Sequence, residues 1–334
     1  MLPLVRCLLS ADSCLLRCAT MTFLVSPQSS WLCARGADRI GEYVYYAITL
    51  HGDLPPLLRP WAFMVRRLYM VTLFLIGAPW LLRWWGLRRY LGCFHFYVIK
   101  NYTFEMDYGE LLAEMRPRGV LHVGASVAQE AQAYAAAGVR RVIWIEAQPS
   151  LEAPLRAAVA AADKARWPES QPAPPGAGPE VLMAAVTEQS GKKVTMVITG
   201  NSISSSLLPI GRGHATYLPF IEAVPSKAVT VETVTMRDLL RRHRVDTSAL
   251  DMMYLDTQGS ELSVLRGCDD TLLAQMKAIM TEVSTEEHYQ GGCLMSELDA
   301  FLGARGFTRT RTRVPPLGHG NALYERAPAD KKAQ

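Results

Sequence analysis

From about Asp107 onward, short apolar runs alternate with longer stretches of helical character. Asp107, followed three residues later by Glu110, has the spacing of a capping box and predicts a helix starting there. Val120–Val123 (VLHV) then reads as a strand, GAS as a turn, and Val127–Ala137 as an Ala-rich helix stopped by Gly138. Arg141–Ile145 (RVIWI) and Leu151–Ala165 repeat the pair as a second strand and a second helix. A strand-helix-strand-helix series is the signature of a parallel, doubly wound sheet.

Trp167–Glu180 (WPESQPAPPGAGPE) holds five prolines and two glycines, so the helix must end and a surface loop insertion, 167–180, is expected. Strands resume at Val181–Val186, Val194–Thr199 and Ala228–Met236, the last alternating at period two. Arg237–His243 reads as a short helix, and Met252–Leu255 (MMYL) as a buried strand ending at Asp256. Leu262–Leu265 opens another helix, Ala278–Val283 is the next strand, and Leu294–Arg305 is an amphipathic helix capped by Gly306. Phe307–Arg313 and Ala322–Glu325 close the sheet. The predicted organisation is an appendage over 1–106, an α/β domain over 107–327 and a disordered tail over 328–334.

The appendage differs in kind from the domain. Residues 1–100 carry 11 basic and 4 acidic residues, whereas the rest of the chain carries 24 and 27, so the overall charge of +4 hides a basic N-terminal third and a slightly acidic remainder. Five of the seven cysteines and five of the seven tryptophans also fall in that first hundred. The cysteines form no CxxC pair, which fits free thiols in a reducing compartment better than a disulfide framework or zinc site. Leu68–Leu82 (LYMVTLFLIGAPWLL) is uncharged and flanked by Arg66, Arg67, Arg83, Trp84, Trp85, Arg88 and Arg89. Its 15 residues fall short of the roughly 20 that span a bilayer, and Pro79 is expected to kink it. Two readings stand: membrane-surface contact through 61–92, which would place the protein on the cytoplasmic face of a membrane, or a helix packed on the main domain of a soluble cytoplasmic protein. The first twenty residues have the acid-poor look of a targeting peptide or of an extension upstream of Met21; Asp12 and Arg17 argue against a cleaved secretory signal.

An open α/β sheet binds ligands at the C-terminal ends of its strands. Gly124 follows the first predicted strand and permits close approach of a ligand; Glu146 ends the second, where a carboxylate can accept both hydroxyl hydrogens of a ribose. The loop reads Gly124-Ala125-Ser126-Val127-Ala128-Gln129, without the second and third glycines that a pyrophosphate requires, and no GxxxxGK[ST] phosphate loop occurs. A nucleoside cofactor without phosphate, S-adenosylmethionine, suits this turn.

Five blocks in order, LHVGASVAQEAQAYAAAGVRRVIWIEAQPSL, SSSLLP, YLDTQGSELSVLRG, MTEVSTEEHYQGGCLMSELDAFLGARGF and GHGNALYER, resemble the FkbM-type S-adenosylmethionine-dependent methyltransferases. The resemblance runs from about Gly119 to Arg326 and implies a Rossmann-like class I methyltransferase fold that O-methylates hydroxyls of sugars, glycolipids or secondary metabolites. Carried onto this chain, it implies cofactor contacts at Gly124, Ala125, Ser126, Glu146, Ala147, Asp256 and Gln258. Ala128 stands where many members have glycine, Ser126 where Asn or His is frequent, and Asn321 where Asp is common, the last bearing on an acceptor contact.

Methyl transfer to a hydroxyl needs in-line placement and a proton acceptor. Asp256, ending an apolar strand, is the first candidate, with Glu261 and Glu282 in reserve and His214 and His288 as further candidate bases. A carboxylate pair could also hold Mg²⁺, which the spacing does not establish. Two other classes remain open. A nucleic-acid methyltransferase would want a basic face, against which the acidic balance beyond residue 100 argues, so no nucleic-acid partner is expected. A non-catalytic protein keeping the fold as a scaffold would be marked by failure to bind the cofactor.

Overall fold

The computed structural model describes residues 59–95, 106, 108–166, 178–200, 203–213 and 223–326. Outside them lie the first twenty residues, read as a targeting peptide or an upstream extension, the Asp107 cap, most of the Pro-rich insertion, the candidate base His214 and the C-terminal tail. By its internal contacts the chain divides into a unit from Met1 to Tyr69 and a unit from Met70 to Gln334. Helix α1, Arg59–Phe94, carries the apolar run. Pro79 is accommodated inside it; the backbone instead leaves helical geometry at Gly86 (φ 73°, ψ 161°), where the missing side chain makes a left-handed residue inexpensive. No helix among the described residues is long and apolar enough to cross a membrane.

Helix α2 (Tyr108–Met115) leads into β1 (Gly119–Val123), followed by α3 (Ala131–Ala136), β2 (Arg141–Glu146), α4 (Glu152–Arg166) and β3 (Gly178–Met183). Then come β4 (Ala185–Val186), β5 (Lys193–Met196), β6 (Val229–Val234), α5 (Met236–Arg242), β7 (Met252–Leu255), α6 (Glu261–Arg266) and α7 (Asp270–Gln275). Strand β8 (Ala278–Ser284), α8 (Met295–Gly303), β9 (Phe307–Arg313) and β10 (His319–Arg326) complete the domain. The main sheet has the order β3-β2-β1-β7-β8-β10-β9, and β4, β6 and β5 form a small second sheet. Strands β3, β2, β1, β7 and β8 are parallel; β10 runs antiparallel between β8 and β9. This is the predicted α/β architecture.

The central strands read as apolar runs because both faces are covered. On one face Val120, Val142, Trp144, Met252 and Tyr254 pack against Leu111, Leu112, Tyr134 and Leu155 from α2, α3 and α4. On the other, Leu121, Val123, Ile143, Met253 and Leu255 meet Leu239, Leu265, Leu272 and Leu298 from α5, α6, α7 and α8. His122 belongs to the first of these cores: its ring lies 4.3 Å from Tyr254 and 4.8 Å from Trp144, Nδ1 is 3.0 Å from the Tyr134 hydroxyl, and burial lowers its pKa to about 3. It is therefore a neutral core group.

The expected elements differ from the observed ones in four places. The helix predicted at Val127 begins only at Ala131, because the chain first makes an extended turn around Glu146. The stretch Val181–Val186 is divided between two sheets, since β4 leaves the main sheet to pair with β6. Gly178–Glu180, assigned to the insertion, already belong to β3, an edge strand where Pro179 is tolerated. Helix α7 has no counterpart in the sequence reading; Asp269 caps it by accepting from Leu272 N at 2.7 Å.

Candidate active site

All the parallel strands end on one edge of the sheet, and β10 starts there because it is antiparallel. The topological switch falls between β1 and β7, since β1 is followed in sequence by β2 on one side and bonded to β7 on the other. That is where an open α/β sheet leaves a crevice.

The turn after β1 is shaped by two features. Gly124 has φ 86°, and a Cβ there would stand 1.7 Å from the Asp256 carbonyl oxygen, so backbone from β1 and β7 meets in a contact that only glycine allows. Ser126 (φ 46°) and Ala128 (φ 56°) are also left-handed, an uncommon state for residues with a Cβ and one that clusters at functional loops. Ala128 N donates to the Ala125 carbonyl at 2.7 Å, and what holds Ser126 is Glu146. One carboxylate oxygen accepts from Ser126 N and the other from Gln148 N, both at 2.7 Å, while Gly124 N and Ala125 N donate to the Ile145 carbonyl. Glu146 is 6% exposed; burial raises its carboxyl pKa, against the pull of the backbone N–H groups of Gln148 and Ser126. At the same corner Gln148 Oε1 is buried without a hydrogen-bond partner.

The second group of residues follows β7 and β8, and Gln258, itself left-handed at φ 56°, stands at its centre. The Gln258 side-chain amide donates to Asp256 Oδ1 at 2.6 Å and to Glu282 Oε2 at 3.0 Å, so one NH₂ group bridges two carboxylates. Its Oε1 accepts from the Tyr289 hydroxyl at 2.6 Å, and that hydroxyl is also 3.1 Å from the Ser204 carbonyl. The other oxygen of Glu282 pairs with His319 Nδ1 at 2.9 Å. Burial raises the pKa of Asp256, and the neighbouring Glu282 carboxylate raises it further. His319 is also raised: burial alone would lower it, but the Glu282 carboxylate outweighs that.

The predicted site residues are thus sorted. Gly124, Ala125, Ser126, Glu146 and Ala147 sit at the ends of β1 and β2; Asp256, Gln258 and Glu282 sit together at the ends of β7 and β8. Glu261 is the first residue of α6, and its Oε1 accepts from Thr257 N, Thr257 Oγ1 and Gly259 N at 2.8–3.2 Å, while Oε2 is 3.3 Å from Cys293 Sγ. It is 2% exposed and braces the loop that carries Gln258. His288 is buried with Nε2 3.1 Å from the Leu317 carbonyl. Tyr289 and His319 are not singled out by sequence reasoning, although both lie in motif blocks, Tyr289 beside His288 in the fourth and His319 in the last. Among the described residues no group of three or more His, Cys, Asp or Glu side chains is placed to hold a metal ion, so the arrangement lends no support to Mg²⁺. A surface depression of about 410 Å³ lined by Asp270, Leu273, Ala304, Arg305 and Arg326 lies at the opposite edge of the sheet, where β8 starts.

The strand order, the antiparallel β10, the glycine turn after β1 and the acid ending β2 define a Rossmann-like class I methyltransferase fold. A family model described as the methyltransferase FkbM domain matches residues 122–309, more than half of the 334, and the chain belongs to that family. It is an S-adenosylmethionine-dependent methyltransferase by that membership. Among solved structures, the methyltransferase domain of bacterial CtHen1 is similar at 7% identity and TM-score 0.33, over 64% of this chain and 92% of that one. The N,N-8-amino-8-demethyl-D-riboflavin dimethyltransferase RosA from Streptomyces davawensis is similar at 10% identity and TM-score 0.32, over 66% of this chain and 55% of that one. The S-adenosylmethionine-dependent methyltransferase SibL, in its apo form, is similar at 16% identity and TM-score 0.31, again over 66% and 55%. No curated protein matches the chain.

The residues present suit the donor the family implies. The turn after β1 lies against the β2 corner, where Glu146 and the orphaned Gln148 Oε1 offer acceptors, and the carboxylates beyond β7 and β8 suit a cation.

Proposed function

We propose that the protein transfers a methyl group from S-adenosylmethionine to a hydroxyl oxygen of a sugar, glycolipid or related metabolite. The observation that carries this reading is the Asp256–Gln258–Glu282 bridge at the same sheet edge as the Gly124 turn. When bound, the donor supplies a methyl on a sulfonium, which leaves as a neutral thioether.

Glu146 and the turn after Gly124 hold the nucleoside end over β1 and β2. Asp256 takes the hydroxyl proton as the new O–C bond forms and the C–S bond breaks. Burial and the Glu282 carboxylate raise its pKa in the free protein, and a bound sulfonium would lower it again, leaving Asp256 ionised to accept that proton. Gln258 fixes the orientation of Asp256 and Glu282 together, and Tyr289 fixes Gln258. Glu282 with His319 offers the next carrier for the proton towards solvent, His319 being one-quarter exposed. Glu261 acts through the loop it braces.

Calorimetric titration with S-adenosylmethionine and with NAD tests the cofactor. Binding of the first alone is expected, and binding of NAD alone would end this reading. Extracts incubated with labelled cofactor and analysed by mass then identify the acceptor as O-methylated, or assign the chemistry to another atom.

A further inference from the structure

Helix α1 has two unlike faces within the unit that begins at Met70. The inner face is held: Phe74 and Cys93 are buried, the Tyr90 hydroxyl donates to the Phe74 carbonyl at 2.9 Å, and Arg89 pairs with Glu286 at 2.7 Å. Gly92 lies so close to Pro316 that a Cβ would stand 3.0 Å from its ring. The outer face carries Leu75 (63% exposed), Ile76 (44%), Leu87 (63%) and Leu91 (53%), four of the five exposed large apolar side chains in the described residues. Pro79, Arg83 and Arg88 are exposed with them. Leu75, Pro79 and Arg83 before the Gly86 break, and Leu87 and Leu91 after it, recur every four residues, the spacing of neighbours on one helix face.

Apolar side chains left in water beside a single sign of charge need a partner of opposite charge with an apolar interior. Residues 59–95 hold six arginines and no acid. We propose that the outer face of α1 docks on an anionic lipid surface, the leucines entering the acyl boundary while Arg83 and Arg88 meet the headgroups. A second copy of the chain suits this face poorly, because a two-fold contact would set arginines against arginines. The inner-face contacts tie the helix to Glu286 and Pro316, in the loops that also bear His288 and lead to His319. The lipid contact does not depend on the methyl-transfer reading.

The test is flotation of the full chain with phosphatidylcholine vesicles, with and without phosphatidylserine. Wild type is expected to float with the anionic vesicles and to be released by high salt. The double variant Leu87→Glu/Leu91→Glu should lose vesicle affinity by roughly a hundredfold, since burying each leucine is worth about a factor of ten. A second variant, Arg83→Gln/Arg88→Gln, should weaken binding to anionic vesicles only. Calorimetric binding of S-adenosylmethionine should stay unchanged in both. Failure of wild type to float, equal flotation of the leucine variant, or a wild-type dimer that those substitutions dissociate would overturn the proposal.

Discussion

Ala128→Gly tests the turn that carries the proposed cofactor contacts. At φ 56° the alanine is left-handed, and the strain that glycine would relieve is about 1–2 kcal/mol. Against this, glycine gives the unfolded chain more freedom, costing about 0.4–1 kcal/mol. Ala128 is only 5% exposed, so the lost methyl costs about 0.8 kcal/mol more. The three nearly cancel, and the net change should lie within about 1 kcal/mol of zero. Were residue 128 inside the helix that the Ala-rich sequence predicts, no strain would be relieved. Helix propensity would then cost about 1 kcal/mol and the methyl its share, for a loss near 2 kcal/mol. Ala133→Gly, within α3, is the internal control and should lose about 1 kcal/mol. Guanidinium unfolding of the two variants beside wild type gives the comparison. If Ala128→Gly loses about 2 kcal/mol, clearly more than Ala133→Gly, the left-handed turn around Glu146 is wrong.

Glu146→Ala should weaken S-adenosylmethionine binding by roughly 1.5–3 kcal/mol and also lower the melting temperature, since Ser126 N and Gln148 N lose a charge-assisted acceptor; unchanged calorimetric affinity in a folded variant would remove it from the site. Asp256 and Glu261 have raised pKa values in the free protein, so their contribution to stability is present below the unfolded pKa and fades as pH rises through the folded one. A cation beside Asp256 reverses its shift, so S-adenosylmethionine should bind more tightly as pH rises and release protons, more than S-adenosylhomocysteine does; identical binding heats in buffers of different ionisation enthalpy would mean no proton is released and would count against the placement. Asp251 is the opposite case: burial would raise its carboxyl pKa, but Lys277 and Arg118 hold it below the usual value, so its stabilisation is present above the unfolded pKa and lost as pH falls through the folded one. Asp251→Asn should cost about 1–3 kcal/mol in denaturant unfolding, because both partners stay largely in solvent, with no change in cofactor affinity; a loss of affinity would show that the two ends of the sheet communicate.

The central strands are legible because burial on both faces leaves its mark in sequence as unbroken apolar runs: VLHV, RVIWI, MMYL and AIMTE each form a strand. So are Gly124 and Glu146, which belong to motifs local in sequence. The helix expected at Val127 starts late because alanine favours helix only where nothing competes, and the competitor, the Glu146 carboxylate on Ser126 N, is 20 residues away. Asp256, Glu261 and Glu282 look alike along the chain, each an acid at or beyond the end of a strand. Their separate surroundings come from the sheet order: β7 beside β8 brings Asp256 and Glu282 onto one amide, β10 beside β8 sets His319 on Glu282, and the loop after β8 brings Tyr289 to Gln258. Glu261 turns inward to its own loop. A strand pattern records which residues are buried, but hydrogen-bond partners lie across strands that are distant in sequence, and only the packed sheet decides which carboxylate is left facing the crevice.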